Sequence, residues 1–123
     1  MKALQIFAGP RAYQHIQNHG LRAEHIGVIP GAAGGPKGLV LGPLDRFIFG
    51  EWLPQSEQAV DLVGASIGAW RMATACLNDS VNSLKKLEHD YIHQHYDVKL
   101  GQKRPSAKQV SDAFGAGLHS FYG

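Results

Sequence analysis

The stretch Ala59-Val60-Asp61-Leu62-Val63-Gly64-Ala65-Ser66-Ile67-Gly68-Ala69-Trp70 limits the possible folds more than any other part of the chain. A short apolar strand, Ala59 to Val63, runs into Gly-x-Ser-x-Gly and then directly into a helix expected from Ile67 to about Leu77. Glycines at 64 and 68 let backbone approach where a Cβ would obstruct it, and a sharp strand-to-helix turn presents the serine hydroxyl. A tight junction chosen only for packing would give the same pattern in a chain with 15 glycines. Ser66 is the candidate nucleophile, Gly64 and Gly68 are its elbow, and the remaining residues must supply partners if the chemistry is real.

Upstream, Ile26-Gly27-Val28-Ile29 is too short for a helix and rich in β-branched residues, so it reads as a buried parallel strand. It feeds Pro30-Gly31-Ala32-Ala33-Gly34-Gly35-Pro36-Lys37-Gly38, a loop with one bulky side chain, Lys37. Leu39, Val40, Leu44, Phe47 and Ile48 then repeat at helical spacing from Lys37 to about Trp52, with Gly42-Pro43 expected to kink or divide the helix. Residues 26 to 77 therefore form a βαβα unit with two parallel strands and a right-handed crossover.

The loop is not a phosphate-binding P-loop. Counting from Gly31, Pro36 stands where that motif needs Gly, and Gly38 where it needs Ser or Thr. Nor does it fit a dinucleotide-binding G-x-G-x-x-G. Two readings remain: a glycine-rich connection without a ligand, or an oxyanion hole of bare N–H groups at the start of a helix. The second gains weight because adjacent parallel strands bring their C-terminal ends, and hence this loop and Ser66, to one sheet edge.

The two motifs, in this order and about thirty residues apart, resemble those of the patatin-like phospholipases. The resemblance rests on Gly34, Gly35, Lys37 and Gly38 for the oxyanion loop, and on Gly64, Ser66 and Gly68 for the elbow. It covers residues 26 to 77; Ala32-Ala33 stand where the family often has Asp-Gly. It implies an α/β fold, here a partial three-layer α/β/α patatin-like fold with a short, mostly parallel sheet whose C-terminal strands are absent. It also implies a lipid or other acyl-ester substrate, no metal or cofactor, and a Ser–Asp dyad whose Asp belongs to a later Asp-Gly-(Gly/Ala) motif. None of Asp45, Asp61, Asp79, Asp90, Asp97 and Asp112 is followed by Gly. Asp61 lies five residues before Ser66, roughly 16 Å away along an extended chain. The expectation is an N-terminal part of such a domain, with the base outside the 123 residues.

Two alternatives stand beside a lipid acyl-ester hydrolase. One is an inactive fragment, exposing an incomplete sheet edge prone to self-association. The other is an α/β-hydrolase with a Ser-His-Asp triad, in which a late histidine such as His119 would serve. The seven histidines are otherwise scattered. His89 and His93 have the i, i+4 spacing of a metal pair, but the H-E-x-x-H glutamate is missing, so a solvated helix face is the simpler reading.

The remaining sequence suits one modest domain. A first strand is expected over Leu4 to Ala8 and a helix from Pro10 to Gly20. Further helices are expected from Val81 to Tyr96 behind the cap cluster Asn78-Asp79-Ser80, and from Pro105-Ser106 to a stop at Gly115-Ala116-Gly117. Net charge is +2, too small to argue for nucleic acid. Lys85-Lys86 and Lys99 to Arg104 suit a solvated face first and peripheral contact with anionic lipid second. Trp52 and Trp70 read as packing residues and Cys76, the one cysteine, as a buried helix residue. With neither a leader nor a membrane span legible, the expected compartment is the cytoplasm.

Overall fold

Two of the apolar runs become a parallel two-stranded sheet: β1 is Val28–Gly31 and β2 is Asp61–Gly64. The computed structural model describes residues 4–96 and 104–123. In the sheet Val28 pairs with Asp61, Ile29 with Leu62, Pro30 with Val63 and Gly31 with Gly64. Side chains alternate along a strand. Ile29 and Leu62, with Gly31 and Gly64, therefore share one face, and Val28, Pro30, Asp61 and Val63 share the other. The first face is half-buried at Ile29 and Leu62. The second is open, with Val28 55% and Val63 58% exposed. The expected burial of both faces is not seen, because a two-stranded sheet is covered here along one face only.

That cover is α3, Ile67–Ala75, which packs along both strands. It contributes Ile67, Gly68, Arg71, Met72 and Thr74 to the buried set, more than any other element. Between the strands the chain stays helical from Gly35 to Gln55, but its pitch changes. A 3-10 stretch, Gly35–Leu41, leads into α2, Gly42–Phe47; a π-helical turn, Ile48–Trp52, and a final 3-10 turn, Leu53–Gln55, follow. Gly42-Pro43 does not break this run: Gly42 is helical (φ −51°, ψ −46°), and Pro43 sits in the first turn of α2, where its missing N–H is harmless.

α4, Ser80–Ile92, opens beyond the cap cluster read from the sequence. The Asp79 carboxylate accepts from Asn82 Nδ2 (2.8 Å) and from the Asn82 backbone N–H (3.2 Å). These bonds, the side-chain one foremost, hold the Asp79 carboxyl below the ordinary aspartate range. Gly50 in the π-helical turn admits Val81; a Cβ there would stand 2.3 Å from Val81 Cγ2. Leu84 of α4 joins Ala23, Ile67 and Met72 as the buried apolar side chains.

The N-terminal region departs from expectation. Residues 4–9 form no strand, and Leu4, Ile6 and Phe7 are 64%, 63% and 88% exposed. Composition alone does not make a strand: this run is paired with neither edge of the β1–β2 sheet. The first helix is as expected: α1 spans Pro10–His19 with Pro10 in its first turn, and Gly20 (φ 74°) closes it by donating to the Ile16 carbonyl (2.8 Å).

The chain divides into two units, Met1–His89 and Asp90–Gly123. The second contains α5, Ala107–Tyr122, which Ser106 opens through a reciprocal capping box with Gln109. Gly115-Ala116-Gly117 does not stop α5. Cys76 is exposed, not buried. Asp97 and the basic residues Lys99 and Lys103 lie outside the described residues. Among the described residues no helix is long and apolar enough to cross a membrane, and no group of three or more His, Cys, Asp or Glu is placed to hold a metal ion.

Candidate active site

Ser66 is the junction between β2 and α3. Its backbone has φ 54° and ψ −127°, and it is the one non-glycine residue with positive φ among the described residues. A Cβ makes this region costly, so something in the surroundings must hold the residue there. Ser66 occupies the N-cap position of α3, where a serine ordinarily turns its hydroxyl onto the first-turn amides. Here it makes no such capping bond, and the residue is exposed. The hydroxyl is thus lifted off the helix it precedes.

The glycines of the motif hold this turn from below. A Cβ on Gly64 would stand 2.4 Å from both Cα and N of Ala69. One on Gly68 would stand 2.1 Å from the Gly31 carbonyl oxygen and 2.7 Å from that of Ala32. One on Gly31 would meet the Gly68 carbonyl oxygen at 2.8 Å. Gly31 and Gly64 are register partners, so they form a bare trough into which the first turn of α3 settles. The Ala65 N–H donates to the Gly31 carbonyl (3.1 Å), extending the ladder one step past β2. The amides of Gly68 and Ala69 donate to the carbonyls of Ala65 and Ser66, both at 2.9 Å.

The glycine loop arches from this trough back to the elbow. It departs at Gly31 and Ala32, which lie against Gly68, and returns at Gly38, where a Cβ would meet Ile67 Cγ2 at 2.8 Å. Both ends of the loop therefore touch the residues flanking Ser66. Gly34 and Lys37, which are exposed, and Gly35, half-exposed with φ 56°, form the arch between. The structure thus brings Gly38, Gly64, Ser66 and Gly68 together, and adds Gly31, which the sequence analysis takes only as the start of the loop. The available signal was its position, a glycine closing the strand beside the one that ends in Gly64.

Sequence reasoning also missed a buried ion pair. Arg71 on α3 donates from Nε to Asp45 Oδ2 and from Nη2 to Asp45 Oδ1, both at 2.6 Å. The two residues are 7% and 4% exposed. No local signal marks the pair: Arg71 is the one charge on α3, but α2 carries Arg46 directly beside Asp45. Nearby, Arg46 donates to Glu88 (2.5 Å), tying α2 to α4.

None of the three described aspartates of the first unit is placed to pair with Ser66. Asp45 is held by Arg71. Asp61 begins β2, about 10 Å along the strand from Gly64. Asp79 follows α3, which is about 13 Å long, on the side away from Ser66. Comparison with protein-family models, curated proteins and solved structures gives no match.

Proposed function

We propose that the chain is an acyl-ester hydrolase of patatin-like architecture, with Ser66 as nucleophile. One observation carries this reading: a serine held at positive φ on a strand-to-helix turn, its hydroxyl neither buried nor used to cap the helix. Strain of this kind persists where the surroundings impose it, and it clusters at functional sites.

In the proposed reaction Ser66 Oγ attacks the ester carbonyl carbon and gives up its proton to a base. The carbonyl oxygen becomes an oxyanion. The elbow amide beside it is that of Ile67, and the Gly34–Gly38 arch supplies further N–H groups; Pro36 has none to give. Preorganised donors of this kind are worth roughly 10²- to 10³-fold in rate each. On collapse the protonated base gives its proton to the leaving oxygen, the alcohol departs and acyl-Ser66 remains. Water, deprotonated by the same base, then attacks the acyl carbon, releasing the fatty acid and returning the proton to Ser66 Oγ. The substrate proposed is a lipid ester, by resemblance to the patatin-like phospholipases. The exposed single thiol of Cys76 suits a reducing compartment such as the cytoplasm.

A second reading rests on the aspartates: Asp45 is engaged by Arg71, and Asp61 and Asp79 stand away from Ser66 along β2 and beyond α3. In it the chain keeps nucleophile and oxyanion loop but turns over no ester by itself. A fluorophosphonate probe and a short-chain ester separate the two. Labelling and turnover that both vanish in Ser66→Ala support the hydrolase. Labelling without turnover supports the second reading. No Ser66-dependent labelling or turnover refutes the hydrolase and agrees with the second reading, since a serine without a base is a weak nucleophile. A triad using His119, which lies in the last turn of α5, requires that His119→Ala abolish turnover.

A further inference from the structure

The two halves of the proposed site stand on different helical elements. The loop enters the helical run that begins at Gly35 and continues into α2; Ser66 stands at the first turn of α3. Function requires the two elements to hold one relative position, because oxyanion donors act only at hydrogen-bond distance from the reacting atom.

The elements touch at two levels. The near contact is Gly38 against Ile67, adjacent to Ser66. It is a hydrogen atom against an alkyl group, and nothing in it prevents sliding. The far contact is Asp45 with Arg71. Arg71 lies five residues past Ser66, about 7 Å along α3. Asp45 lies seven residues past Gly38, about 12 Å along its run. A bidentate guanidinium–carboxylate contact fixes both distance and orientation, since two parallel N–H···O bonds are satisfied in only one arrangement. Two apolar side chains of equal volume would fill the same space without selecting a register. The cavity beside the pair, bordered by Gly38, Asp45, Arg71 and Leu84, is about 10 Å³. That is at the lower limit for a single water, and with both residues buried the pair is walled in by packing.

We propose that Asp45 and Arg71 are positioning residues whose fork holds the Gly34–Gly38 loop in register with Ser66. This rests on the acyl-transfer reading of Ser66. The pair touches no reacting atom and acts through the two helices it joins.

The test compares the whole chain with Arg71→Lys, which keeps the charge but loses the fork, and with Asp45→Leu/Arg71→Met, which fills the space apolarly. Three quantities are measured: melting temperature, the rate of Ser66 labelling by a fluorophosphonate, and amide exchange at Gly34, Gly35, Lys37 and Gly38. The double variant is expected to melt close to the parent yet label about a hundredfold more slowly, the effect of roughly 1 Å of misplacement. Its loop amides exchange faster, and Arg71→Lys shows the same two changes in smaller measure. A folded double variant with parental labelling and exchange overturns the proposal. If the double variant does not fold, Arg71→Lys decides alone by the same criterion. If even the parent shows no Ser66-dependent labelling, the acyl-transfer reading falls, and loop exchange still decides whether the pair holds the loop.

Discussion

Replacing Ser66 by glycine should make the protein more stable. At φ 54° and ψ −127°, a residue with a Cβ carries about 1–3 kcal/mol of backbone strain. Glycine relieves it but adds freedom to the unfolded chain worth about 0.5–1 kcal/mol. Little else is lost, because the side chain is exposed and caps nothing. The net gain is about 0–2.5 kcal/mol, at roughly 4 °C of melting temperature per kcal/mol for a chain of this size. Ser66→Ala is the control. It removes the same hydroxyl but keeps the Cβ, and should stay within about 0.5 kcal/mol of the parent. Both variants should lose phosphonate labelling. Thermal unfolding followed by circular dichroism reads the difference. A Ser66→Gly protein melting no higher than Ser66→Ala would refute the claim that the elbow stores strain.

Further outcomes follow from the same geometry. Gly68→Ala places a Cβ 2.1 Å from a backbone oxygen and should cost about 1–3 kcal/mol or more, read as a lower melting temperature. Gly115→Ala in α5 meets nothing within 4 Å and should gain about 0.5–1 kcal/mol, read as increased helical signal on heating. Asp45→Ala alone strands a buried guanidinium and should cost about 3–5 kcal/mol in denaturant unfolding, in contrast with the paired apolar replacement. Asp79 titrates below an ordinary aspartate, so its contribution to stability is complete above the ordinary value and is lost as pH falls through the lowered one. Asn82→Ala should move the Asp79 titration, followed by carboxyl NMR, back toward the ordinary value.

The parts of the site legible in the sequence are those in which residue type dictates backbone geometry. Gly64, Ser66 and Gly68 announce a strand-to-helix turn because few other residues tolerate one, and the loop glycines announce a backbone-lined arch for the same reason. Asp45 and Arg71 announce nothing locally. Their pairing spans 26 residues and depends on how two helices cross, which periodicity does not encode. Leu4 to Ala8 has a strand's composition, but pairing is a long-range property that composition does not encode, and the run joins neither edge of the described sheet. The helical run was legible from Lys37 to about Trp52; its 3-10 ends at Gly35 and Gln55 and its changes of pitch were not. They answer to local packing, such as Gly50 admitting Val81 in the π-helical turn.

The trough formed by Gly31 and Gly64 constrains how this sequence can drift. A tight contact between side chains can usually be eased by a rotamer change or a smaller neighbour. At Gly64 the opposing atoms are main-chain atoms of Gly68 and Ala69; at Gly31 Met72 Cγ also stands close, but the nearest atom is the Gly68 carbonyl oxygen, and a main-chain atom cannot be trimmed. A substitution at 31 or 64 has no single-residue compensation at the point of contact. Suppressor selections should therefore recover only reversion there, while exposed α3 positions such as Ala73 accept new side chains freely.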